Sequence, residues 1–187
     1  MEPRVAVVVP LPAEAAGPIE EFRRIHDPLF HKIAAHLVLV PAQGWCPEDR
    51  AVPRLLEAVR ASGQGPFPVG LNGVGRTRDG VVFLRVEEGA EILAEMNRLL
   101  LAALGPPPGT EFPEYRPVVA LGRGPGEAEA EFLQRQVAGH LAPVRFPAEA
   151  FSVVVEDARG LWHLRERLPL EPPPPPAERG PVVSSER

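Results

Sequence analysis

Few side chains in this sequence are equipped to move a proton or grip an anion, and they are unevenly placed. Five histidines and one cysteine are spread over 187 residues. His36 opens the apolar run His36-Leu37-Val38-Leu39-Val40. An imidazole there can act as a general base or donate to a phosphate, and it can equally be a packed side chain on a strand. His26 and His31 stand five apart, not the four that puts two imidazoles on one helical face. Glu21 and Asp27 nearby complete no ligand spacing, so no metal site is expected. The lone Cys46 excludes an internal disulfide and reads as a buried thiol. Gly73-Val74-Gly75 and Gly122-Arg123-Gly124 lack the third glycine and the strand-to-helix setting of a dinucleotide loop. They read as bends and imply no cofactor. Arg116 and Arg123 flank Val118-Val119-Ala120, where a guanidinium fork would suit a phosphate and a surface salt bridge would serve each as well; Arg76, next to Gly73-Val74-Gly75, is a similar but weaker candidate.

Hydrophobic spacing indicates the elements that must hold these residues. Val5 to Val9 is a β-branched run ended by Pro10 and Pro12, and His36 to Val40 is a second strand that Pro41 should stop. Between them Gly17-Pro18 should open a helix with Ile19, Phe22, Ile25 and Leu29 on one face, bent or ended at Asp27-Pro28. A helix over Asp49 to Ser62 follows, with Pro53 tolerable only in its first turn. Phe67 to Gly75 and Gly80 to Val86 make a hairpin around Thr77-Arg78-Asp79-Gly80, and Ile92 to Leu104 make a helix capped at Gly105. The proline-rich connector near 105–114, with Pro106-Pro107-Pro108-Gly109, is the candidate boundary between two lobes. Beyond it come a strand over Tyr115 to Arg123, a helix over Gly126 to His140 with Phe132, Leu133 and Val137 inward, and a closing pair, Phe151 to Glu156 and Trp162 to Leu170. Residues 171–187, with Pro172 to Pro176, read as an extended tail and inert spacer; recruitment of a protein partner with an aromatic groove is the lesser alternative. Hairpins mixed with helices imply an α+β fold, and the strand, helix, hairpin order recurs from His36 and from Val118.

Composition narrows the partners. A net charge of −5, from 20 basic and 25 acidic residues, argues against a general basic field that coats duplex nucleic acid, while leaving room for a local phosphate or RNA-end site. Arginine supplies 19 of the 20 basic residues, a bias that GC-rich coding explains and that carries no functional weight. No apolar run reaches the roughly 18–20 residues of a spanning helix, so no membrane partner is expected and the cytoplasm is the expected setting.

Two triplets carry a resemblance. Tyr115-Arg116-Pro117-Val118-Val119-Ala120-Leu121-Gly122-Arg123 is similar to a segment of the 2H phosphoesterases, the 2′-5′ RNA ligase-like superfamily, in which His-x-Thr or His-x-Ser stands where this chain has Val118-Val119-Ala120. His36-Leu37-Val38 resembles the first such triplet, 82 residues earlier. Pro66-Phe67, Gly73 to Arg76, Phe151 to Asp157 and Arg165 to Leu170 extend the likeness over roughly residues 3 to 170. The resemblance implies a two-lobed, duplicated fold, with antiparallel or mixed sheets, helices outside and a central cleft. It also implies metal-free chemistry on 2′,3′-cyclic phosphates or RNA ends. One histidine would deprotonate water or a 2′-hydroxyl, the other would protonate the leaving oxygen, and the hydroxyls would hold phosphate oxygens. Here only His36 is kept, and Val38, Val118 and Ala120 stand at the degenerate positions. A weakly active or inactive member that binds RNA ends, cyclic phosphates or nucleotides through His36, Arg116, Arg123 and Arg76 is the expectation. The rival is a non-catalytic interaction module on the same scaffold.

Overall fold

The computed structural model describes residues 3–105 and 114–171. The expected Pro106 to Gly109 connector and the Pro172 to Pro176 tract lie outside these residues. The elements run β1 (Val5–Pro10), α1 (Ala13–His26), β2 (His36–Gln43), α2 (Glu48–Ser62), β3 (Phe67–Arg76), β4 (Val81–Glu88), α3 (Ala90–Leu104), β5 (Val118–Arg123), α4 (Glu127–His140), β6 (Val144–Ala148), β7 (Ala150–Glu156) and β8 (Trp162–Pro169). The strands form one antiparallel sheet in the order β6-β3-β4-β5-β2-β1-β7-β8, and the fold is α+β as expected.

Alternation along each strand decides which face is which. Val5, Val7, Val9, Leu37, Leu39, Val119, Val82, Leu84, Val69 and Val153 share one buried cluster with Ile19 of α1, Leu55 of α2, Leu93 of α3 and Val137 of α4. All four helices therefore pack on one face of the sheet, and burying each such aliphatic side chain contributes about 1.5–3 kcal/mol. Among the described residues, the opposite face carries one small cluster, Ala6, Val8 and Val154, beneath Ile33 and Trp162.

The connections exchange helices across the middle of the sheet. α1 links β1 to β2 yet packs on β5, while α3 links β4 to β5 yet packs on β2. The repeat is thus β1-α1-β2-α2 and β4-α3-β5-α4, starting one strand earlier than the units headed by His36 and Val118. Its halves interleave with the remaining strands, because β7 pairs with β1 and β6 with β3.

Prolines account for several departures from expectation. β2 continues through Pro41 to Gln43, since beyond Leu37 its registered partner is β1 alone and a bulge lies between Val38 and Gln43. α1 and α2 begin earlier than expected, and each holds a proline, Pro18 or Pro53, as its sixth residue, past the first turn. An interior proline forfeits one helical hydrogen bond at a cost of about 3 kcal/mol; the fully buried Ile19 and Leu55 offset it. β6 was not expected at all, and it occupies a sheet edge, where Pro147 can pair with Pro68 without either owing a hydrogen bond to a second neighbour. Phe132, expected inward, is exposed, and Ala130, Leu133 and Val137 form the inner face of α4. Ile25 is likewise exposed near the end of α1.

Candidate functional site

The two strands at the centre of the sheet bring the sequence triplets together. β2 and β5 pair with Leu37 opposite Val119, and both residues are fully buried under the helices. Their neighbours therefore face the other way. Extending the antiparallel register by one residue in each direction sets His36 across from Ala120 and Val38 across from Val118, a square of four side chains on the helix-free face. Neighbouring strands widen the square into two rows. One runs Gly75, Phe83, Ala120, His36, Pro10; the other runs Asn72, Arg85, Val118, Val38, Val8, Ser152, Arg167.

His36 is held from beneath by the end of α1. The buried guanidinium of Arg23 donates to Glu20 at 2.9 Å, to Asp27 at 2.8 Å and to the Ile33 carbonyl at 2.9 Å. Glu20 in turn accepts the Ala35 amide. These bonds fix the segment leading into β2, and within it Nδ1 of His36 lies 2.7 Å from the Ala34 carbonyl. A carbonyl can only accept, so Nδ1 carries the proton, and Nε2, with no partner among the described residues, is left to accept one. Burial lowers the His36 pKa against the opposing pull of Ala34, and the Arg23 charge lowers it further. The ring is neutral at pH 7, suited to a base or a hydrogen-bond acceptor rather than an acid.

Past Leu37 the two strands splay. The Val38 carbonyl takes the Tyr115 hydroxyl at 2.9 Å, and the Leu39 carbonyl takes the buried Asn97 amide at 2.6 Å. Side chains thus satisfy groups that a strand ladder would have used. Burial raises the Tyr115 pKa, so it stays a donor. The gap is a cavity of about 190 Å³ walled by Val38, Val118, Asn97, Tyr115 and Arg116.

The arginines nominated from sequence are all engaged. Arg116 borders that cavity but is 81% exposed and pairs with Glu114 at 2.8 Å. Arg123 stands at the far end of β5, paired with Asp79 at 3.1 Å. Arg76 lies across from the buried Val82 on the helix-covered face, where it contacts Glu127 of α4, and so does not share the face of His36. His26 and His31 each lie against a phenylalanine, Phe22 and Phe30. Sequence reasoning passed over Phe83 and Arg85, which stand directly across from Ala120 and Val118. Their signal was the alternation in Val81-Val82-Phe83-Leu84-Arg85-Val86, readable only once β4 is known to border β5.

The square offers one neutral imidazole, three apolar side chains and no hydroxyl. It can accept a proton and shelter an apolar surface. No curated protein sequence matches the chain. Solved structures match in fold. E. coli LigT complexed with phosphate aligns at 22% identity over 91% of this chain and 99% of that one, with a TM-score of 0.64, and LigT complexed with NADP+ reaches 0.66. Kluyveromyces marxianus Usb1 with uridine monophosphate is more distant, at 15% identity and a TM-score of 0.53 over 90% and 97% of the two chains. A model of the 2′-5′ RNA ligase superfamily matches residues 10–160, a span that takes in both central strands and the cleft they floor. With the paired triplets at the centre of a sheet that aligns nearly end to end with LigT, the chain belongs to the 2′-5′ RNA ligase superfamily.

Proposed function

We propose that this protein binds a phosphate-bearing ligand, an RNA end, a 2′,3′-cyclic phosphate or a nucleotide, on the floor formed by β2 and β5, and turns it over weakly or not at all. The observation that supports this most is the make-up of the central square, where His36 is the one group able to move a proton, Val118 stands where a second histidine would protonate the leaving oxygen, and Val38 and Ala120 stand where hydroxyls would hold phosphate oxygens. A positioned general acid or base contributes about 10²–10⁴-fold and an oriented donor about 10²–10³-fold. A single neutral base keeps only part of that. Proton transfer of this kind calls for neither metal nor nucleotide cofactor. The ligand classes accord with the phosphate and 3′-AMP that E. coli LigT holds in its complexes.

The test pairs turnover with binding. Hydrolysis of nucleoside 2′,3′-cyclic phosphates and joining of RNA ends are expected within about tenfold of the uncatalysed background, less than one general base supplies. Titration with 3′-AMP or a cyclic nucleotide is expected to give saturable binding that weakens with salt, as a charge-based contact must. Fast turnover that survives His36→Ala would refute the reading. Absence of saturable binding for every nucleotide tried would favour the interaction-module alternative.

A further inference from the structure

The helix-free face next to the square carries an aromatic ring and a guanidinium seated over glycines of the neighbouring strand. Phe83 and Arg85 stand two apart on β4, so both side chains lie on the same side as His36. They rest on β3, at residues that have no side chain. A β-carbon at Gly75 would fall 2.5 Å from Cε2 and Cζ of Phe83 and 3.3 Å from Nε of Arg85. One at Gly73, whose φ is +71°, would fall 3.4 Å from a terminal nitrogen of Arg85. The ring and the guanidinium therefore both lie over a glycine strip, Phe83 half-buried and Arg85 exposed. Arg85 forms no hydrogen bond or ion pair with any described residue, unlike Arg76, Arg116 and Arg123. Glu87, two residues further along β4, accepts from the Asn72 side chain at 2.9 Å through Oε2, and its Oε1 would fall 3.7 Å from the same Gly73 β-carbon without pairing with Arg85.

We infer that Phe83 and Arg85, laid on Gly73 and Gly75, form a second subsite that takes a planar aromatic ring carrying an anion, as a nucleotide does. The ring stacks on Phe83 and the anion pairs with Arg85. Val118 and Ala120 bound the subsite on the side of the square, and neighbouring strands lie about 4.8 Å apart. With β5 between β2 and β4, the subsite begins about 10 Å from His36, so a ligand with its reactive end over His36 reaches it when it extends that far across the sheet. The inference rests on the nucleotide-binding reading of the cleft and specifies where affinity comes from: the anchor sits over β3 and β4, and the apolar square adds little of it.

Adenosine 5′-monophosphate, adenosine and inorganic phosphate, each titrated calorimetrically into the full chain, separate the contributions. Adenosine 5′-monophosphate is expected to bind with saturation. Arg85→Ala should weaken it at least tenfold while changing adenosine less than twofold. Phe83→Leu, which keeps the apolar packing and removes the ring, should weaken both nucleoside and nucleotide at least fivefold, the low end of what stacking a base contributes. Inorganic phosphate alone should bind far more weakly than the nucleotide. Unchanged nucleotide affinity in both variants, or no saturation of the wild type by 10 mM ligand (about the weakest useful range), overturns the subsite. If His36→Ala alone abolishes binding, the anion sits over the square, so the subsite falls while the cleft reading stands. If nucleotide binds and none of the three substitutions matters, both fall.

Discussion

Replacing the three apolar members of the square is the most direct trial of the site. Val38→Thr, Val118→His and Ala120→Thr together would set the new imidazole across from the residue-38 hydroxyl and His36 across from the residue-120 hydroxyl. The two imidazoles would then be diagonal neighbours on an antiparallel ladder, with β-carbons about 7–8 Å apart or slightly less. That gap lets one ring face each side of a phosphorus. The structure also sets the stability cost. Val38 is 40% exposed and Ala120 is exposed, so neither hydroxyl loses its water, and a cavity of about 190 Å³ adjoins position 118. Substitutions at such positions fall within about 1 kcal/mol, well below the cost of burying unpaired polar groups. Activity should rise at least about 10²-fold on a nucleoside 2′,3′-cyclic phosphate, the lower bound for a returned acid or base and about 2.7 kcal/mol of barrier. The further gain from the hydroxyls is not multiplied in, because such groups act as a unit. Chromatographic separation of the product isomers would measure the rate and urea denaturation would confirm folding. A folded triple variant at wild-type background would refute the reasoning. So would a gain that persists when His36→Ala is added, since that activity could not come from the square.

Three further outcomes follow from the supports of the site. The folded His36 pKa lies below its unfolded value, so the unfolded chain takes up a proton first as pH falls through about 6.5. Stability from this group is therefore full above that pH and declines below it, by no more than about 1.4 kcal/mol per pH unit, and the difference between wild type and His36→Ala in urea midpoints from pH 8 to 5 should show it. Equal slopes would count against the buried neutral ring. Arg23→Ala should cost about 3 kcal/mol, because it strands Asp27 and Glu20, whose side chains are 8% and 24% exposed, and frees the segment into His36; a loss under about 1 kcal/mol would mean the network is well replaced by water. Gly122→Val should cost about 1–3 kcal/mol by pushing α1 off β5, since a β-carbon there would lie 2.7 Å from the His26 carbonyl oxygen. Thermal melts matching wild type would contradict that packing.

Much of the fold was legible because local chemistry and tertiary setting agree in it. Val5 to Val9 has one environment to go to, the apolar spacing from Leu93 to Leu104 fits one face of a helix, and Gly105, with φ of +83°, ends that helix as its type predicts. The turn at Asp157 to Gly160 forms because the Asp157 carboxylate takes the amides of Arg159 and Leu161, a local bond readable from the residue itself. The failures occur where a distant strand decides. Pro41 does not stop β2, since no second neighbour asks it for a hydrogen bond there, and Pro147 does not bar β6 from an edge. Neither fact is written within ten residues of the proline concerned.

The same contrast governs the site. The resemblance of the two triplets implied that His36 and Val118 head facing strands, because a repeated triplet is a one-dimensional signal. Which arginines share their face is a question of rows across the sheet. Arg116 and Arg123 are close to Val118 along β5, yet each has a carboxylate within 3.1 Å to satisfy its charge. Arg85 is 33 residues from Val118 in sequence and directly across from it in register. A guanidinium left without a carboxylate, above glycines that make room for it, has more free energy to gain from an incoming anion than one that must first give up a partner. Affinity for a charged ligand should therefore follow the cross-strand row through Arg85 rather than the run of arginines along the motif strand.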